Sequence, residues 1–154
     1  MDDGNNSRLL AVLDDDESIR HAVQDLLESE GLSALCFDSA ERFLDSGVMH
    51  RATCLIADVR MPGMGGFELH EKLKNKRCSI PTIFMTGLGD IPMAVRAMRG
   101  GAVDFLTKPL DEEALLRSIE RAIEQSRHER RDAVEREEFL GRYETLTPRE
   151  REVL

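Results

Sequence analysis

Four short stretches end in side chains that could act together. "LLAVLDDDES" (9–18) runs five apolar residues into Asp14, Asp15 and Asp16. "TCLIA" (53–57) leads to Asp58, "PTIFM" (81–85) to Thr86, and "AVDFL" (102–106) to Thr107, Lys108 and Pro109. Like charges about 4 Å apart repel by roughly 4 kcal/mol at an effective dielectric of about 20, so three adjacent aspartates need a reason. Carboxylates without a counter-ion raise one another's pKa. A hard divalent cation removes that problem. Mg2+ takes oxygen ligands in octahedral geometry and keeps several waters, so two carboxylates and a backbone carbonyl suffice. Lys108 would add a fixed positive charge and Thr86 a hydrogen-bond donor. Cation, lysine and hydroxyl together would bind three oxygens of a phosphoryl group. Asp58 would be the nucleophile, able to form an acyl phosphate.

Taken singly, each residue has an ordinary reading. Aspartate after a strand is a common turn or cap residue. Thr86-Gly87 could be a plain turn, and Lys108-Pro109 another. The joint placement, with Asp, Asp, Thr and Lys in that order ending four apolar stretches, is what distinguishes the pattern.

The surrounding pattern supplies elements to position these residues. "RLLAVL" (8–13), "LSALCF" (32–37), 53–57, 81–85 and 102–106 read as short buried strands. Residues 17–30 carry Ile19, Val23, Leu26 and Leu27 at helical spacing, and Gly31 stops the run. "DSAERFLDSG" reads as a helix capped by Asp38 or Ser39 and ended by Gly47. "GGFELHEKLK" is helical after a Gly-rich turn. "DIPMAVRAM" is helical with Asp90 as its cap and Gly100-Gly101 as its stop. Asp111 caps a last helix through Leu115, Leu116, Ile119, Ala122 and Ile123. Strands alternating with helices imply an α/β fold, a five-stranded parallel sheet covered on both faces and doubly wound, over about residues 8–125. Such sheets bind ligands beyond the carboxyl ends of their strands, which is where the polar residues fall.

Composition agrees with a single soluble domain and a charged tail. The 154 residues carry a net charge of −9, which argues against nucleic acid binding by the bulk of the chain. No apolar run approaches a membrane span, and "MDDGNNSR" is no signal peptide. Cys36, Cys54 and Cys78 lack CxxC spacing, which disfavours zinc and fits reduced thiols in a cytoplasmic protein. Residues 111–154 hold 13 acidic and 9 basic residues, the density of a solvated helix or linker rather than a second core.

At these residues the chain resembles the receiver domain of two-component response regulators. The resemblance is carried by "AVLDDDESIR", "LIADVRMPGMGGFEL" and "PTIFMTGLGDIPMAVRAMRGGAVDFLTKPL", and covers about residues 8–125. It implies a (βα)5 flavodoxin-like receiver. It sets the family's acidic pair on Asp14 and Asp15, the phosphoacceptor on Asp58, and a metal-binding backbone carbonyl on Arg60. It sets the switch hydroxyl on Thr86, the switch aromatic on Phe105, and the lysine on Lys108, followed by Pro109. It further implies a sensor histidine kinase as phosphoryl donor and Mg2+ bound by Asp15 and Asp58, with Asp14 acting through water or orienting its neighbours. Thr86 would then move towards the phosphoryl group, Phe105 would rotate into the vacated space, and the changed surface of 91–99, 102–106 and 112–125 would dimerise. Three positions depart from the family pattern. Gly65 stands where relatives often have Asp, which is expected to loosen the turn after Asp58. Leu88, two residues past Thr86, is expected to slow dephosphorylation. Leu110 replaces a frequent Phe.

Beyond this receiver (1–125), residues 126–145 are expected to prolong the last helix as a linker. Ser126, Arg130 and Glu137 on the seam disfavour a coiled coil. In 146–154, "LTPREREVL", Thr147, Pro148 and Glu150 form a helix-start signature. It resembles the opening of the LuxR-type helix-turn-helix domain of FixJ/NarL regulators, whose remaining helices would be needed for specific DNA binding. The expectation is a truncated transcription regulator that reaches DNA only through that missing domain. Two other classes stand beside it. One is a stand-alone receiver signalling through protein contacts, against which the linker and helix start argue. The other is a hydrolase using Asp58; such phosphatases usually place a second aspartate where this chain has Arg60.

Overall fold

Apolar pentapeptides form the sheet, and capped amphipathic segments form its covers. The structure, a computed structural model, describes residues 9–144, with side chains through Glu129. In order, the elements are β1 (Leu9–Leu13), α1 (Glu17–Ser29), β2 (Ser33–Phe37), α2 (Ala40–Ser46), a 3-10 turn (Val48–His50) and β3 (Cys54–Asp58). Then follow α3 (Gly66–Asn75), β4 (Thr82–Thr86), α4 (Ile91–Arg99), β5 (Asp104–Thr107) and α5 (Glu112–Glu144). All strands are parallel, in the order β2-β1-β3-β4-β5. This is the doubly wound α/β architecture expected from the sequence.

Residues two apart along a strand face the same side, and here both sides are apolar. Ala11, Leu13, Leu55, Ala57 and Phe84 pack with Phe43, Leu69 and Leu73 under α2, α3 and α4. Leu10, Val12, Cys54, Ile56, Ile83 and Met85 pack with Val23, Leu27, Leu115 and Ile119 under α1 and α5. Burying a side chain of this size contributes about 1.5–3 kcal/mol, so the two layers together outweigh any single turn or cap. All three cysteines are free. No buried side-chain polar atom among the described residues lacks a hydrogen bond.

Helix starts follow the caps. Asp16 accepts from the Ser18 N–H at 2.8 Å, Asp90 from Met93 at 2.9 Å, and Asp111 from Glu113 at 3.0 Å. Of the two candidates before α2, Ser39 is the cap, accepting from the Arg42 N–H at 3.1 Å.

Three strands sit later than the apolar runs suggest. β3 and β4 each shift by one residue and end on Asp58 and Thr86. Polar side chains at a strand end leave the backbone ladder intact: the Val59 N–H donates to the Met85 carbonyl and the Lys108 N–H to the Thr86 carbonyl, both at 2.9 Å. β5 starts at Asp104 rather than Ala102. Gly101 adopts φ 99° and the Ala102 N–H returns to the Ala97 carbonyl at 3.1 Å, so both residues close the end of α4. The turn at 48–50 was not anticipated. α5 continues through Glu144, so the segment expected as a linker extends that helix. The helix start at Thr147, Pro148 and Glu150, the side chains of Arg130 and Glu137, and the polar N-terminus lie outside the described residues.

Candidate functional site

The site grows out of the core rows of β1 and β3. Leu10 and Val12 face α1 and α5, and Asp14 comes next in that row; Cys54 and Ile56 are likewise followed by Asp58. Register sets Leu13 beside Ala57, so the two aspartates leave the sheet next to each other. Because β1 lies between β2 and β3, this is the point where strand order reverses, the place at which such sheets bind ligands. Asp14 is fully buried and Asp58 is 5 % exposed.

Two adjacent buried carboxylates need a cation, and Lys108 supplies one. Its Nζ donates to Asp14 Oδ2 at 2.7 Å and to Asp58 Oδ2 at 3.0 Å. The lysine is aimed by the ladder bond of its own N–H, and its peptide bond to Pro109 is cis. Burial pulls the Lys108 pKa down, but the hydrogen bonds and charges of Asp14 and Asp58 outweigh it. The net displacement is upward, so the ammonium form is secured. The other carboxylate oxygens are held locally. Asp14 Oδ1 accepts from the Asp16 N–H at 2.9 Å, and Asp58 Oδ1 from the Arg60 N–H at 3.0 Å. Arg20 donates to the Asp14 carbonyl at 2.7 Å and fixes the β1–α1 turn.

Asp15 is exposed, unlike its neighbour, and turns back to the same place. Asp14, Asp15 and Asp58 each offer a carboxylate oxygen, and these lie within 4.8 Å of one another. Three carboxylates face one ammonium, which leaves an excess of negative charge at a set of hard oxygen donors. That donor set fits a divalent cation such as Mg2+. Arg60 is exposed, and its backbone is anchored at the site through Asp58.

Thr86 and Phe105 stand on the opposite face of the sheet. Thr86 is beside Thr107 in register, and Phe84 beside Phe105. Phe105 is half-buried and packs on the core layer under α2, α3 and α4. The Thr86 hydroxyl accepts from the Leu88 N–H at 3.2 Å, and among the described residues it makes no hydrogen bond to Asp58 or Lys108.

A profile of the response regulator receiver domain matches residues 10–120. The chain belongs to the response regulator receiver family. This receiver is 44% identical over 146 residues to the response regulator protein TodT of Pseudomonas putida, covering 95% of the chain and 64% of TodT. It is 41% identical over 143 residues to the transcriptional regulatory protein FixJ of Bradyrhizobium diazoefficiens, covering 93% of the chain and 70% of FixJ. The solved structure of the response regulator StyR superposes with a TM-score of 0.79 at 44% identity, over 94% of this chain and 73% of StyR. The chain therefore spans just under two thirds of the length of TodT. No helix among its described residues is long and apolar enough to cross a membrane.

The turn after Asp58 passes through Gly65. The Gly66 N–H closes it onto the Val59 carbonyl at 3.0 Å, and a Cβ on Gly65 would lie 2.6 Å from that same oxygen. A side chain at position 65 would press on this backbone. A further clamp was missed: Glu41, from α2, accepts from the Met64 N–H at 3.1 Å across the loop. Nothing in the sequence marks Glu41, because the pairing joins residues 23 positions apart and depends on where α2 docks. The same holds for the grip of Arg20 on Asp14.

Proposed function

We propose that this receiver takes a phosphoryl group onto Asp58 from the phosphohistidine of a sensor histidine kinase, in a Mg2+-dependent reaction. In this reading an Asp58 carboxylate oxygen attacks phosphorus, the P–N bond to the donor histidine breaks, and an acyl phosphate forms. The observation that carries the reading is the pair of buried carboxylates, Asp14 and Asp58, sharing the Lys108 ammonium next to Asp15. Asp15 and Asp58, with the Arg60 backbone carbonyl, are the groups to hold Mg2+, and Asp14 orients them. Bound there, the ion would supply positive charge against the phosphoryl oxygens. Lys108 can leave its bond to Asp58 Oδ2 and pair with an oxygen of the incoming group, so that its charge is already in place. Asp58 is positioned by the Arg60 N–H rather than activated by a general base, in keeping with a reaction that needs positioning and charge more than proton transfer.

The acyl phosphate then acts as a switch. Thr86 gives up the Leu88 N–H and turns to the phosphoryl group, and Phe105 moves into the space it leaves. The surface of α4, β5 and α5 changes and pairs with a second copy. Ile91, Val95 and Met98 form an exposed apolar stripe on α4 that suits such pairing. Residues 1–125 act as the receiver, 126–145 as a helical linker, and 146–154 as the opening of a LuxR-type helix-turn-helix domain through which transcription is controlled. The similarity to FixJ, a transcriptional regulatory protein, supports this last step.

Intact-mass spectrometry tests the reading. After acetyl phosphate and Mg2+, the chain should gain one phosphoryl group. Asp58→Ala, or excess EDTA, should gain none. A parent chain that gains no mass sinks the reading.

A further inference from the structure

The β4–α4 loop lies over the two residues assigned to the switch. Thr86, Phe105 and Thr107 are all on the face of the sheet covered by α4, and register places Thr86 beside Thr107. Gly89 sits on top of them. A Cβ added at Gly89 would lie 3.0 Å from Thr107 Cγ2, 3.1 Å from Phe105 Cε2 and 3.1 Å from Thr86 Cγ2. Position 89 thus abuts both the hydroxyl-bearing residue and the ring that would replace it. Gly87, in the same loop, meets nothing within 4 Å. Gly89 has no left-handed backbone to explain its identity, since the positive-φ glycines are others. What a glycine provides here is room.

We infer that Gly89 is the positioning residue that keeps the passage between Thr86 and Phe105 open, so that a side chain at 89 uncouples phosphorylation of Asp58 from the movement of Phe105. The inference rests on the functional reading above and adds to it the residue on which transmission depends. The physical argument is volume. The ring of Phe105 enters the space beside Gly89 as Thr86 leaves, and close-packed side chains do not share a space already filled by a methyl group. Asp58, Asp14 and Lys108 belong to the other side of the sheet, so the phosphoryl chemistry itself does not need position 89 to be empty.

The test uses the full chain labelled with fluorophenylalanine. The 19F resonance of Phe105 is assigned by its loss in Phe105→Leu. Acetyl phosphate with Mg2+ is added, and intact mass is read on the same sample. In the parent chain the Phe105 resonance should move when the phosphoryl group is gained. Gly89→Ala should gain the same mass with the shift lost, and Gly87→Ala should behave as the parent. If Gly89→Ala does not fold by circular dichroism, Gly89→Ala/Thr107→Ser removes one of the three contacting methyls and should fold with the shift still lost. A full Phe105 shift in either folded Gly89 variant overturns the inference and leaves the functional reading standing. A parent chain that gains no phosphoryl group overturns the functional reading, and the inference with it. A parent chain that is phosphorylated with no movement of Phe105 overturns the inference and the switch step of the functional reading, and leaves phosphoryl transfer to Asp58 standing.

Discussion

Lys108 holds two buried carboxylates together against their own repulsion. Replacing it with Ala leaves Asp14 and Asp58 facing each other without that cation, which costs about 1–3 kcal/mol for a pair at the edge of the core. Urea unfolding of Lys108→Ala should show this loss, and added Mg2+ should recover more stability in the variant than in the parent chain. The pH dependence has a definite sign. The pKa of Lys108 is raised by folding, so its contribution is complete below the ordinary lysine value of about 10.4 and fades as pH climbs through the raised one. The parent chain should therefore lose stability in strongly alkaline solution along a limb that Lys108→Ala lacks. Gly65 makes a second prediction at this scale. Gly65→Asp restores the residue often found in relatives and adds a capping side chain to α3, which has none. Its Cβ would nonetheless press on the Val59 carbonyl. Overpacking of this kind costs about 1–3 kcal/mol, against roughly 1 kcal/mol for a cap, so the urea midpoint should fall. A midpoint that rises would show that the turn opens at no cost.

Between elements, α3, β4 and α4 meet around aromatic rings. His70 packs edge-on against Phe84 at 5.4 Å, Phe67 does the same at 4.8 Å, and the Arg96 guanidinium lies 4.6 Å from the Phe67 ring centre. Burial among these rings lowers the pKa of His70, Lys74 lowers it further, and Glu71 opposes them. A histidine whose pKa is lowered by folding stabilises the fold while neutral. That contribution is present above about pH 6.5, its unfolded value, and is lost as pH falls towards the lowered one. Thermal midpoints should drop between neutral and mildly acidic pH, and His70→Phe should flatten the drop. An unchanged slope in the variant would remove His70 as the cause. These pairings were invisible in the sequence, where Phe67, His70 and Phe84 are simply apolar-face residues of separate segments. The helix caps were legible because a cap is local: Asp90 and Asp111 each bond a backbone N–H two or three residues on. β5 was misjudged at its start for a local reason of another kind. Ala102 and Val103 look like strand residues, yet the backbone of Gly101 turns Ala102 back onto α4.

At the scale of the molecule, the sheet separates the residues of the proposed chemistry from those of its proposed readout. Asp14 and Asp58 continue rows that face α1 and α5, whereas Thr86 and Phe105 lie on the face covered by α4. Phosphorylation is proposed to act across this division and to bring two copies together through α4. Sedimentation velocity should then show a monomer converting to a dimer on treatment with acetyl phosphate and Mg2+. Ile91→Glu puts charge on a residue that is 79 % exposed, and should stay monomeric while gaining the same phosphoryl mass. Dimerisation of the variant would move the interface elsewhere. By itself, the sequence determined the alternation of strands and helices, the caps that start most helices, and the identity of the polar residues at the strand ends. Those depend on period, spacing and local hydrogen bonds, all of which are written along the chain. Only the tertiary structure decided that Lys108 bonds both Asp14 and Asp58, that Glu41 clamps a loop 23 residues away, and that Gly89 roofs Thr86 and Phe105. Those depend on strand order, on register and on how helices dock, which bring together residues that no local rule relates.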